Sequence, residues 1–194
     1  MTTARCPVCA LPNPTGDRCG RCVSRAPRFD RVVASLSYEY PANHLVQGLK
    51  YGGNLACARA LASCLAAALD DEPYPDMIVP MPLAPGRLAE RGFNQALEIA
   101  RLVASEFGVT VVSDACRRTR EAAPQAQLPW KERARNVRKA FACDIDLSGK
   151  RIAVVDDVLT TGSTLGELAL TLKRAGAVEV TGWIVARTPA PGTA

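Results

Sequence analysis

The sequence predicts an α/β protein: a mostly parallel, twisted sheet flanked by helices, with a small cysteine-rich knuckle ahead of it. Ile152, Ala153, Val154 and Val155 form an apolar run without alternation, the pattern of a parallel strand covered on both faces. Short apolar runs and helical stretches succeed one another along residues 27–194, as in folds built from strand and helix units. Cys6, Cys9, Cys19 and Cys22 lie apart from these, in a segment rich in Pro, Gly and Arg that sets residues 1–26 off as a small domain.

At 194 residues the chain is long enough to bury a real core. The longest apolar run, near Leu65, is far too short to span a bilayer, and the N-terminal MTTARCPVC has no apolar signal core. A cytoplasmic protein without a membrane span is the expectation. The formal net charge of +5 is modest but uneven. Residues 1–31 hold six arginines against Asp17 and Asp30. Residues 117–139 hold Arg117, Arg118, Arg120, Lys131, Arg133, Arg135, Arg138 and Lys139 against Glu121 and Glu132, so the positive field is local.

In chain order the knuckle comes first. Four thiolates can close a tetrahedral zinc site: each CxxC brings two sulfurs to one metal, and nine intervening residues bring the halves together. So short a segment cannot bury a core, and the metal would supply on the order of 10 kcal/mol of its folding free energy. With four protein sulfurs and no open position, such a zinc is structural. Disulfides would need an oxidising compartment that nothing else suggests. Cys57, Cys64, Cys116 and Cys143 read as buried apolar residues. His44 is the single histidine and has no nucleophile motif beside it, so histidine-based catalysis is not expected.

Residues 31–40 read as a strand, and 44–50 as a helix stopped by Gly52 and Gly53. Lys50 at its end suits a phosphate contact or a solvated helix end equally. Residues 55–69 form a helix apolar nearly all round, which should pack deeply. Residues 76–80 are a short strand entering PMPLAPGRLAERGFNQ, whose prolines predict an extended loop. Asn94 is placed to cap a helix over 95–107. Arg87 and Arg91 carry guanidinium forks that suit a diphosphate, or solvent. Strands over 109–112 and 178–185 complete the reading, before a frayed TPAPGTA tail.

The stretch RIAVVDDVLTTGST, residues 151–164, names a ligand. The strand is expected to stop at Asp156, at the C-terminal edge of the sheet, where open α/β folds bind ligands. Thr160, Thr161, Gly162, Ser163 and Thr164 then lead into a helix ending before Gly176. Backbone N–H groups, the helix dipole and the hydroxyls make an anion cradle there. Two adjacent acids repel a polyphosphate, so they must accept hydrogen bonds from hydroxyls or hold a cation through water. A sugar phosphate with Mg²⁺ meets both demands.

This stretch resembles the phosphoribosyl pyrophosphate (PRPP) motif of type I phosphoribosyltransferases. The resemblance implies that Asp156 and Asp157 bind the ribose hydroxyls and that Thr160, Thr161, Gly162, Ser163 and Thr164 bind the 5′-phosphate. Taken with the four-cysteine knuckle, the LKYGG segment, the PMPL…R…RGFNQ loop and the Arg118, Thr119, Gln125 pattern, nearly the whole chain is similar to the ComF-type competence protein family. The loop after the first phosphoribosyltransferase strand binds pyrophosphate, which implies that role for Met81, Pro82, Leu83, Arg87 and Arg91. The basic segment holding Arg117, Arg118, Arg120, Trp130, Arg133, Arg135, Arg138 and Lys139 falls where those enzymes carry a mobile loop that closes over PRPP.

Three readings of that segment stay open: a closing loop, a surface for single-stranded nucleic acid with Trp130 or Phe93 stacking on bases, or a solvated charged helix. The family resemblance implies a role in handling imported single-stranded DNA with the DNA-uptake machinery. The competing expectation is an active, Mg²⁺-dependent phosphoribosyltransferase whose acceptor no residue here identifies.

Overall fold

The computed structural model describes residues 4–119 and 139–190. Four parallel strands form the main sheet: β1 (Arg31–Ser37), β2 (Met77–Pro80), β5 (Arg151–Leu159) and β6 (Glu179–Arg187), in the order β1-β6-β5-β2. Helices α2 (Ala42–Gly52), α3 (Leu55–Ala67), α4 (Pro85–Arg91), α5 (Gln95–Phe107) and α6 (Ser163–Arg174) connect them, and a single helical turn, α1 (Gly20–Ser24), belongs to the knuckle. A short antiparallel pair, β3 (Cys116–Arg118) with β4 (Phe141–Cys143), stands apart from the sheet.

The apolar run of β5 is explained by what covers it. Ile152 and Val154 pack on one side with Leu165, Leu168 and Leu172 of α6 and with Cys6, Leu11 and Cys22 of the knuckle. Ala153 and Val155 pack on the other with Val46 and Leu49 of α2, Leu61 and Leu65 of α3 and Ile99 of α5. Successive residues of a strand face opposite ways, so a strand between two layers must be apolar at every position. Helix α6 approaches the sheet closely because residue 182 has no side chain: a Cβ on Gly182 would lie 2.6 Å from Leu165 Cδ2.

Several expectations are corrected. Strand β5 does not stop at Asp156 but continues to Leu159, pairing Asp156 with Ile184 and Val158 with Ala186 of β6. It is β2 that ends early, at Pro80 opposite Val155, so both acids lie beyond their neighbour's end. Residues 109–112 form no strand but a single parallel bridge of Val111 to Ile78, made by the Ile78 amide on Thr110 O and the Val112 amide on Ile78 O, both at 2.9 Å. The loop after β2 is extended only as far as Ala84, because Pro85 opens helix α4 with its ring at the first helical position. Cys57 is half-buried and Cys64 exposed, so neither is a buried apolar residue. Cys116 is buried but Cys143 only half-buried, and the two face each other across β3 and β4.

Candidate functional site

Beyond the end of β2, the alternation of β5 sends its two acids to opposite faces. Asp157 shares the face of Ala153 and Val155, and there Lys50 Nζ of α2 comes within 2.6 Å of its Oδ2. Both side chains are largely sequestered, 19% and 4% exposed, so this is a desolvated ion pair rather than a surface one. Burial works against the Lys50 charge, but the Asp157 and Asp156 carboxylates outweigh it and hold its pKa above the usual lysine value. Lys50 is therefore neither solvated nor free for a phosphate. Its position beside the apolar face carried by Val46 and Leu49 was the available signal, and the partner was not.

Asp156 stays half-exposed on the other face. Its Oδ1 accepts the Asp157 amide at 2.9 Å. Desolvation, then the Asp157 charge, push its pKa up to about 8, with Lys50 opposing. A carboxyl raised this far wants a cation or a hydroxyl donor beside it. Arg118 of β3 is electrostatically coupled to Asp156, while burial lowers its own pKa. Its guanidinium carbon lies 5.7 Å from the Phe141 ring centroid, and its buried Nε has no hydrogen-bond partner among the described residues.

The loop after β5 follows at once. Gly162 takes φ +81°, and a Cβ there would meet the Phe29 ring at 3.3 Å, so both conformation and space favour glycine. Thr161 Oγ1 donates to Ser163 Oγ at 2.8 Å and accepts the Ser163 amide at 3.1 Å. Gly162 stands as the residue before α6, with the Gly166 amide on its carbonyl at 2.8 Å. The Thr161 and Ser163 hydroxyls thus meet at the N-terminus of a twelve-residue helix, where partial positive charge collects, with Thr160 and Thr164 flanking them in the chain.

The neighbouring loop leaves β2. The Met81 amide donates to Val155 O at 2.9 Å, and Asn94 Nδ2 donates to Met81 O at 3.1 Å while its Oδ1 caps α5 through the Ala96 amide. Met81 and Pro82 are buried and Leu83 half-buried, so this loop offers backbone rather than side chains. The two arginines diverge. Arg87 is tied to Glu90 one turn on, at 2.8 Å. Arg91 donates to Gln95 Oε1 at 3.0 Å and lies 5.6 Å over the Tyr51 ring. Lys50, Tyr51, Gly53, Glu90, Arg91 and Phe93 line a cavity of about 160 Å³, and Lys50, the partner of Asp157, forms part of its wall.

In the basic segment, alternation in β3 separates adjacent arginines. Arg117 points outward to Asp144, with bonds of 2.9 and 3.3 Å, while Arg118 is half-buried beside Phe141 and feels the Asp156 charge. Lys139 sits at the far end, its amide on Glu167 Oε1 of α6 at 2.7 Å. Arg120, Trp130, Arg133, Arg135 and Arg138 lie outside the described residues.

The four knuckle sulfurs all lie within 4.8 Å of one another, with Cys9 and Cys19 Sγ 3.6 Å apart. A tetrahedral ion with bonds of about 2.3 Å spaces its sulfurs by about 3.8 Å, so the set fits one metal. Burial opposes the Cys6 thiolate, yet amides from residues 19, 9 and 8 outweigh it and bring its pKa down to about 6; the Cys19 amide is 3.3 Å from Sγ. Burial and the neighbouring sulfurs drive Cys22 the other way, a cost that a cation at the centre would reverse. Arg187, which sequence reading missed, ends β6 fully enclosed at 3% exposure, beside Cys9. An arginine closing an apolar strand carries no spacing signal.

No family model matches the sequence. Among solved structures, the glutamine PRPP amidotransferase of B. subtilis is 22% identical and overlaps 66% of this chain and 26% of its own, with a TM-score of 0.45. Curated relatives align over far more. DNA utilization protein YhgH of Salmonella typhi is 37% identical over 191 residues, 94% of this chain and 84% of that protein. The YhgH of Escherichia coli (strain K12) is 35% identical over 190 residues with the same shares. Competence protein F of Haemophilus influenzae is 31% identical over 178 residues, 87% of this chain and 78% of its own. Sustained along nearly the full length of both partners, these identities place the chain in the ComF-type competence protein family, together with the YhgH proteins.

Proposed function

We propose that this protein binds PRPP with Mg²⁺, and that it handles imported single-stranded DNA during natural transformation. The observation that carries the first part is the pairing of Asp156, raised and half-exposed, with a hydroxyl-rich loop at the N-terminus of α6. In this reading Thr160, Thr161, Gly162, Ser163 and Thr164 hold the 5′-phosphate. Asp156 accepts from a ribose hydroxyl directly. Asp157 keeps one oxygen on Lys50 and offers the other, since an ionised carboxylate has lone pairs to spare. The backbone of Met81, Pro82 and Leu83, with Arg91 and Arg87, receives the diphosphate, and Arg118 faces the site from β3. Mg²⁺ would neutralise the diphosphate. The second part rests on what the relatives are named for, competence and DNA utilization, and on the cations of residues 117–139.

The knuckle, residues 1–26, takes a structural zinc on Cys6, Cys9, Cys19 and Cys22 in this account, with residues 27–194 as the ligand-binding domain. No described helix is long and apolar enough to cross a membrane, in keeping with a cytoplasmic site of action. A second reading is a working phosphoribosyltransferase, favoured by the cavity beside Lys50, which leaves space for an acceptor near the ribose. Loss of pyrophosphate would then pass through an oxocarbenium-like state at the anomeric carbon, stabilised by positioning and by the surrounding charges.

Calorimetry decides the central claim. PRPP should bind only with Mg²⁺, and Asp156→Asn with Asp157→Asn should weaken it at least tenfold while the circular dichroism stays native. Unchanged affinity in that double variant would mean that the ribose site lies elsewhere. Pyrophosphate release from a panel of acceptors separates enzyme from binding protein.

A further inference from the structure

We propose that the four-cysteine knuckle is a working wall of the phosphate loop: metal at the cysteines and ligand at Thr160–Thr164 bind cooperatively, through Arg187. Arg187 Nε donates to Cys9 O at 2.9 Å, inside the knuckle. Its Nη1 lies 2.7 Å from Leu159 O and 2.6 Å from Thr160 O, the two carbonyls that lead into the TTGS turn, and 2.9 Å from Thr188 O. One rigid, planar, permanently charged group thus ties a metal-ligand residue to the loop's first residue. A second contact is independent of it. Phe29 packs in the apolar cluster with Cys6, Cys9, Leu11 and Cys22, and its ring edge closes against Gly162.

The energetics run one way. A guanidinium at 3% exposure must have acceptors and compensating negative charge. Four thiolates around one divalent cation form a net dianion, so filling the site strengthens the field that holds Arg187 in place. Losing the metal loosens Cys9, frees Nε, and leaves the Thr160 carbonyl without a fixed donor, whereas Leu159 O keeps the Thr188 amide and hydroxyl at 3.1 and 3.0 Å. The loop then has to be ordered when its ligand arrives, and that cost lowers affinity. Linkage makes the effect reciprocal: ligand on the loop must tighten metal at the cysteines by the same factor. The ligand arm rests on the PRPP reading; the structural arm does not.

The test uses the full chain with Co²⁺ replacing zinc, because cobalt-thiolate absorption reports the geometry at Cys9. In the wild type, saturating PRPP with Mg²⁺ should shift that absorption and lower the Co²⁺ dissociation constant at least about fivefold against a competing chelator. Arg187→Lys keeps a buried cation but cannot bridge both sets of carbonyls. It should hold Co²⁺ tetrahedrally and lose the PRPP response. Hydrogen exchange is the second readout: amides of residues 159–164 should exchange faster in metal-free wild type than in loaded protein, and in loaded Arg187→Lys than in loaded wild type. PRPP binding that leaves the cobalt spectrum and affinity unchanged overturns the proposal, as does an Arg187→Lys variant that responds like the wild type. Should PRPP not bind at all, the reading of the loop's ligand fails instead, and exchange alone decides the coupling. Metal-insensitive amides at 159–164 would then overturn it. Should Arg187→Lys fail to fold, Phe29→Leu takes its place, with a reduced but measurable loss of coupling expected.

Discussion

Asp156 is held in a state that costs stability and that, on the proposed reading, serves the ligand. Its carboxyl titrates near 8 because burial and Asp157 disfavour the charge. A protonated carboxyl presents a donor where a ribose hydroxyl needs an acceptor, so Mg²⁺-dependent PRPP affinity should rise with pH through about 8, with proton uptake reversing it below. The stability effect has the opposite direction. A group whose pKa is raised on folding contributes stability below its unfolded value and loses it as pH climbs through the folded one. Asp156→Asn should therefore raise the melting temperature of the free protein most at pH well above 8, at about 2–4 °C per kcal/mol for a chain of this size. A scan showing the gap shrinking with pH would contradict the assigned cause. Lys50 is the complementary case. Lys50→Met strands Asp157 in a dry site and should cost about 3 kcal/mol in urea unfolding, whereas adding Asp157→Asn to it should restore most of the loss.

At the level of elements, burial on both faces sets what substitution can do. Gly182→Ala places a methyl 2.6 Å from Leu165 Cδ2 and 3.2 Å from Val32 Cγ2, so the buried Leu165 of α6 and Val32 must repack. A loss of about 1–3 kcal/mol is expected, read as a lower urea midpoint at unchanged slope, with weaker PRPP binding if the turn opening α6 holds the phosphate as proposed. The same elements mark what sequence could reveal. Asn94 and the helix it caps were legible because the cap chemistry is local, Oδ1 to the Ala96 amide. The continuation of β5 through Asp156 and Asp157 was not, since acids are poor strand formers and only the Lys50 contact and the β6 ladder offset that. Strands β3 and β4, three residues each, are too short for any period to show, and their pairing spans the basic segment. The hydroxyl-rich turn before α6 could be read because its residues are contiguous. Arg187 and Phe29 could not, because they reach it from other parts of the chain.

Across the whole molecule, the proposed function asks two tasks of the positive charge, and their division can be measured. Arg118 is half-buried and feels the Asp156 charge, with its guanidinium over Phe141, whereas Arg117 stays at the surface with Asp144. Four further cations, Arg133, Arg135, Arg138 and Lys139, fall within seven residues, more than one diphosphate can use. If these bind single-stranded DNA, affinity should fall with salt at a log-log slope of roughly −0.7 per phosphate neutralised. Replacing the four together should flatten the slope by about two to three units and leave PRPP affinity intact. Arg118→Gln should do the converse, weakening PRPP binding with the DNA slope unchanged. A closing loop predicts the exchange of these outcomes, with the fourfold variant losing PRPP and any DNA binding keeping its slope. Fluorescence anisotropy of a labelled oligonucleotide across a salt series, beside PRPP calorimetry on the same samples, separates them. Wild-type protein without measurable single-strand binding at low salt would remove DNA from the account and leave phosphoribosyl transfer as the function of the fold.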